Sequence, residues 1–165
     1  MKKLRYIFPP FLAVCLLGMV TNCTDPGRSV KPPDNRDKVT ISQGVWGNVW
    51  FWKGNFMPGS VSGTITPVVR EVYVYEATSF TSVEFDTAHP PLIREIHSRF
   101  IGKAISDEDG FFQMHLAPGK YSFFPKEDSL FFGSVGDSAG DIQAATVEPD
   151  EVTKRQIDIN YQAFY

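Results

Sequence analysis

The sequence predicts an all-β fold, a single antiparallel β-sandwich of about seven strands with one long inserted loop. Three observations predict it. Short runs of β-branched and aromatic residues recur from residue 43 onward, each bounded by turn residues. No window sustains an apolar period of 3.6 over helical length. The 13 glycines and 12 prolines among 165 residues supply more turns than long helices tolerate. At 42% hydrophobic, with 14 phenylalanines, the chain can fill one core and is too apolar for intrinsic disorder. A net charge of −3 with no basic run leaves no electrostatic footprint for nucleic acid.

The chain opens with Lys2, Lys3 and Arg5 ahead of an apolar run from Tyr6 to Val20. That run is too short for a comfortable membrane span, and Pro9-Pro10 would break a spanning helix near its start. Residues 1–22 therefore read as a signal peptide, outside the fold. Val20-Thr21-Asn22-Cys23 resembles a bacterial lipobox, with Asn22 where Gly, Ala or Ser usually stands. The resemblance implies a lipidated Cys23 and a protein held in the cell envelope through an acylated N-terminus, at the outer membrane in a diderm host. An ordinary signal peptide cleaved nearby, or an uncleaved anchor, is the alternative. Cys15 lies inside the apolar run, so Cys23 is the one cysteine left after cleavage, and lipid attachment accounts for its odd thiol. Residues 23–42, polar and carrying Pro26, Pro32 and Pro33, read as the lipidated residue and a flexible linker. The sandwich occupies 43–165.

Strands are expected at Val45–Phe51, Val68–Ala77, Ser98–Ser106, Phe111–Leu116, Tyr121–Phe124, Ile142–Val147 and Val152–Tyr161. Val72 and Val74 share one face; Ile157, Ile159 and Tyr161 alternate with Asp158 and Asn160. Thr78–His97 is the long excursion, with a short helix expected at Leu92–His97. Ser129–Asp141 is a Gly-rich loop with an apolar plug at Leu130–Phe132. Between Ser106 and Tyr121, Asp107 accepts backbone N–H groups in a corner where Gly110 supplies a positive φ. Phe112, Met114 and Leu116 then point inward, Phe111, Gln113 and His115 outward. Pro118-Gly119 fits a type II turn.

The segment SDEDGFFQMHLAPGKYSF, Ser106–Phe123, resembles the signature of carboxypeptidase regulatory-like domains, small transthyretin-like sandwiches. Ser106, Asp107, Gly110, Phe112, Leu116, Pro118, Gly119 and Tyr121 carry the match. Gly47, Val49 and Gly54 loosely resemble the family's opening strand, and Val147–Pro149 with Ile157–Ile159 its last hairpin. The resemblance implies a non-catalytic accessory: a folding adjunct, a surface-adhesin spacer or an appendage of outer-membrane receptors. The excursion has no counterpart in it.

Trp46, Trp50 and Trp52 are the three tryptophans; they share a strand and a parity, so their indoles face one side, while Val45, Val49 and Phe51 face the other. Two readings stand. An exposed stripe, joined by Tyr73 and Tyr75 from a neighbouring strand, would stack on a glycan or meet an envelope protein. Alternatively the excursion folds over the stripe as a second small core, which the cost of bare indoles favours. Asp107-x-Asp109-Gly110 holds only half of a calcium loop, and turn chemistry explains it. His89, His97 and His115 lack the spacing of a zinc site, so no metal or other cofactor is expected. Gly59–Gly63 has Val61 where a nucleophile elbow needs serine. The expectation is thus a membrane-anchored, non-catalytic module of the cell envelope. A small metal-dependent hydrolase using His89 and His97, or a structural spacer, is the alternative.

Overall fold

A computed structural model describes residues 33–60 and 62–165; the expected signal peptide, Cys23 and the first part of the expected linker lie outside the described residues. Eleven strands follow in order: β1 (Gly44–Asn55), β2 (Thr64–Pro67), β3 (Glu71–Glu76), β4 (Val83–Phe85), β5 (Leu92–Ile96), β6 (Phe100–Ile105), β7 (Phe111–Met114), β8 (Gly119–Glu127), β9 (Leu130–Phe132), β10 (Ala144–Val147) and β11 (Val152–Phe164). They form two sheets of four and seven strands packed as a β-sandwich. All seven expected strands exist.

In the smaller sheet β1 is central. The first half of its length pairs with β7 and the second half with β2, both antiparallel, while β11 runs parallel along its other side. That leaves β11 at an edge of the sheet. In the larger sheet the order is β4-β5-β9-β8-β3-β6, with β10 also pairing β8. Val45, Val49, Phe112, Ile157 and Ile159 from the first sheet meet Val72, Val74, Phe123 and Val147 from the second in the main core. Burial of such side chains contributes about 1.5–3 kcal/mol each, so the period-2 pattern read from sequence sets the inner faces.

The corner after Ser106 forms as expected. Asp107 Oδ1 accepts the N–H groups of Asp109 and Phe111, both at 2.9 Å, and Gly110 takes φ 76°. A Cβ at Gly110 would also stand 2.5 Å from the Val49 carbonyl oxygen, so the residue is fixed twice, by conformation and by close approach. The type II turn at Pro118-Gly119 does not form. Gly119 has φ 157°, nearly extended, and opens β8 directly; the Tyr121 hydroxyl closes the bend by donating to the Ala117 carbonyl at 3.0 Å.

The excursion departs from expectation in kind. Leu92–Ile96 is strand β5, not a helix, and it pairs with β4 on one side and β9 on the other. Leu92 and Ile93 are buried, so their environment is decided by a strand some forty residues away rather than by local period. A second core does exist, with Tyr75, Ile93, Phe124 and Ile142 at its centre and Val83, Ile96 and Phe131 around it. It lies on the outer face of the larger sheet.

Candidate ligand-binding site

The near part of the tryptophan strand is crossed by residues from the expected linker. Residues 34–42, with a single 3-10 turn at Asn35–Lys38, run across the outer face of the smaller sheet. Thr40 exchanges hydrogen bonds with Gln113 on β7, at 3.0 and 2.8 Å. Lys38 reaches Asp107 at 2.9 Å and Asp109 at 2.5 Å, and its ammonium stands 5.8 Å from the Phe111 ring centre. Asn35, 4% exposed, donates to Asn48 on β1 at 2.5 Å, and Asp34 stands 3.6 Å from Lys154 on β11. These residues are therefore an ordered strap, not a flexible linker.

Trp46 and Trp50 are 5% and 0% exposed, and Trp52 is half-buried. Trp46 packs on Phe111 and carries the Lys154 ammonium 4.8 Å from its ring centre. An open stripe across all three indoles is thus excluded, and so is its covering by the excursion, which belongs to the other sheet. Tyr73 and Tyr75 do not join the tryptophans either. They sit on β3 in the larger sheet, facing Phe131 and Phe124 respectively, with Phe100 touching both.

What stays open is the far end of β1, where it meets the edge strand. Trp52 packs against Phe56 at 5.1 Å, and Phe56 stacks on the exposed Tyr165 at 5.9 Å, making an aromatic ledge. The ledge is fixed to β11 at two points: Trp52 Nε1–H donates to Asp158 Oδ1 at 3.1 Å, and Asn160 Nδ2–H reaches the Tyr165 hydroxyl at 3.4 Å. Asp158 and Asn160 also line a cleft of about 320 Å³, together with Phe132, Ser134, Val135, Gln143, Arg155 and Gln156. The cleft straddles the free edge of β11. By strand alternation Gln156, Asp158 and Asn160 belong to the outer face, and Arg155 to the inner face beside the Ser134–Gln143 loop.

The loop side is held in place. Gln143, with φ 48°, donates its side-chain N–H to the Phe132 carbonyl at 2.8 Å and its backbone N–H to Val135 at 2.7 Å. A non-glycine residue in that region is strained and marks an over-determined loop. Ser134 Oγ and Arg155 Nε, both buried, have no hydrogen-bond partner among the described residues. Burial lowers the Arg155 pKa, against the opposing field of Asp158. None of Ser134, Gln143 and Arg155 stood among the expected site residues. One signal was available: Arg155 shares its parity with Ile157 and Ile159, a cation on the apolar side of an alternating strand.

A second cleft, of about 310 Å³, lies between His89, Leu92, the β8–β9 hairpin and Tyr161. Its buried carboxylate is already satisfied: Glu127 takes Arg70 Nε at 2.5 Å and the Tyr161 hydroxyl at 2.8 Å. Desolvation and that Glu127 contact push the Tyr161 phenol up to about 12. Two of the three histidines, His89 and His97, face carboxylates. His89 meets Asp86 at 3.0 Å, His97 meets Glu84 at 3.3 Å, and no group of three metal-ligating side chains converges among the described residues.

No family model matches the chain, and no curated protein matches it. Among solved structures it is similar to a Pseudomonas aeruginosa protein to which carbohydrate binding has been ascribed. That likeness has 16% identity and a TM-score of 0.44, covering 76% of this chain and 96% of the other.

Proposed function

We propose that this chain is a lipid-anchored, non-catalytic module of a bacterial cell envelope that binds glycan in the β11 cleft. In this reading its sandwich is of the carboxypeptidase regulatory-like kind, and acylated Cys23 holds it at the outer membrane. The observation that carries the binding role is the junction of an aromatic ledge with a row of planar polar side chains. A pyranose ring offers an apolar C–H face and a rim of hydroxyls. Trp52, Phe56 and Tyr165 suit the face. Gln156, Asp158 and Asn160 suit the rim, because amide and carboxylate groups pair with adjacent hydroxyls through two atoms at once. The cleft volume falls within the range of small-ligand pockets.

The signal-peptide logic of residues 1–22 and the lone thiol of Cys23 support the anchor. Several acyl chains, at about 0.8 kcal/mol per buried CH₂, make such an anchor stable.

A glycan array probed with the full chain in detergent tests the binding role. Retained glycans should be lost, by tenfold or more in affinity, on Trp52→Ala and on Asn160→Ala, with circular dichroism unchanged. Retention of no glycan, or retention indifferent to both substitutions, contradicts it. For the anchor, Cys23→Ala should move the protein from the membrane to the soluble fraction and abolish metabolic labelling by palmitate.

A further inference from the structure

Building on the cleft as a glycan site, we infer that its ligand is an acidic sugar whose carboxylate is received by Arg155 and Ser134. Arg155 stands on the inner, core-facing side of β11, where its neighbours at the same parity are the buried Ile157 and Ile159. Its Nε is buried without a partner, and no carboxylate of the described residues forms an ion pair with its guanidinium. On the opposite, outer side of the sheet Lys38 has Asp107 and Asp109, and Lys154 has Asp34.

A desolvated guanidinium is costly unless an anion meets it. Burial already works against its charged form. Ser134 Oγ, also buried and unpartnered, lines the same cleft and adds a hydroxyl donor. A guanidinium and a hydroxyl lining one cleft can together serve the two oxygens of a carboxylate, which accepts bidentate donors.

The one acid in the lining does not fill this role. Asp158 lies on the outer side of the strand, where Trp52 Nε1 and Gln156 Nε2 donate to its Oδ1 at 3.1 and 3.0 Å. Its field reaches Arg155, but it forms no ion pair with the guanidinium. Gln143 is fixed by its bond to the Phe132 carbonyl and carries no charge. The cleft is therefore polarised, with the cation at the loop side and hydrogen-bonding groups towards the ledge. A uronic acid presents the same order, carboxylate at one end of the ring and hydroxyls along it.

The test uses matched pairs of tetrasaccharides, the galacturonate, glucuronate and mannuronate forms and the methyl ester of each, titrated calorimetrically into the full chain in detergent. Esterification removes the charge and keeps the hydroxyls. In at least one pair the acid should bind tenfold or more tightly than the ester, and Arg155→Gln should bring that ratio close to one. Ser134→Ala, a smaller change to the fold, should lower the ratio several-fold. Inorganic phosphate, added as a competitor, should not displace the acid. Equal affinity of acid and ester overturns the inference while leaving glycan binding in place; so does a preference that survives both substitutions, or displacement by phosphate. Binding of neither member in any pair overturns it together with the glycan reading.

Discussion

The two outer faces of the sandwich are covered by different chemistry. The larger sheet is covered by a second apolar core, in which Ile93 from the excursion and Ile142 from the loop before β10 lie against Phe124. The smaller sheet, which carries the tryptophans, is crossed by the strap, whose contacts are amide hydrogen bonds and lysine pairs. Apolar burial is non-directional and scales with area. Hydrogen bonds and exposed ion pairs contribute less and depend on pH and salt. The excursion is thus an integral part of the fold, whereas the strap is a closure that can be loosened, and it stops short of Trp52.

The sharpest break of this contrast is in the apolar cover. Phe124→Ala should cost about 3–5 kcal/mol in chemical denaturation, because a fully buried ring leaves a cavity. On the strap side, Asn35→Ala leaves the buried Asn48 amide without its partner. That should cost about 1–3 kcal/mol and accelerate amide exchange in the strap, with the exchange of β8 unchanged.

Acid should loosen the rim of the excursion ahead of its core. Arg94, then His89, hold the Asp86 carboxyl down to about 2. A depressed folded pKa gives stability that is present above the unfolded value of about 4 and is lost as pH falls towards the folded one. Exchange of the amides of Ala88 and His89, which donate to Asp86, should therefore rise between about pH 4 and pH 2. Asp86→Asn should flatten that rise. The smallest effect is expected at Lys38. Its exposed pairs with Asp107 and Asp109 should weaken as salt screens them, so the strap's exchange rates should rise with ionic strength while those around Ile93 do not.

The sequence disclosed whatever is decided by neighbours along the chain. The alternation of Val72 and Val74, or of Ile157 and Ile159, is a local pattern with one physical reading, and so is the Asp107–Gly110 corner. It disclosed less where the partner is distant. Leu92–Ile96 has apolar residues at spacings that a helix or a strand could use, and its pairing with β9 selects the strand. Residues 34–42 carry only Val39 and Ile41 as apolar residues, too few to signal a strand, and polar atoms of β1, β7 and β11 hold the strap. The tryptophan parity was correctly legible, but not which part of the stripe is covered. The cleft was hidden for a related reason: Arg155, Gln143 and Ser134 meet only when the β9–β10 loop comes to the edge of β11.

Acrylamide quenching of tryptophan fluorescence on the full chain and on Trp52→Phe tests most directly whether the tryptophan face is open only at its far end. The three indoles should divide into a protected, blue-emitting pair and one quenchable group, and the substitution should remove the quenchable component alone. A Trp52→Phe variant that is still quenched close to the rate of free indole would mean that the strap leaves Trp46 and Trp50 in reach of solvent, and the site would have to be sought along the whole strand.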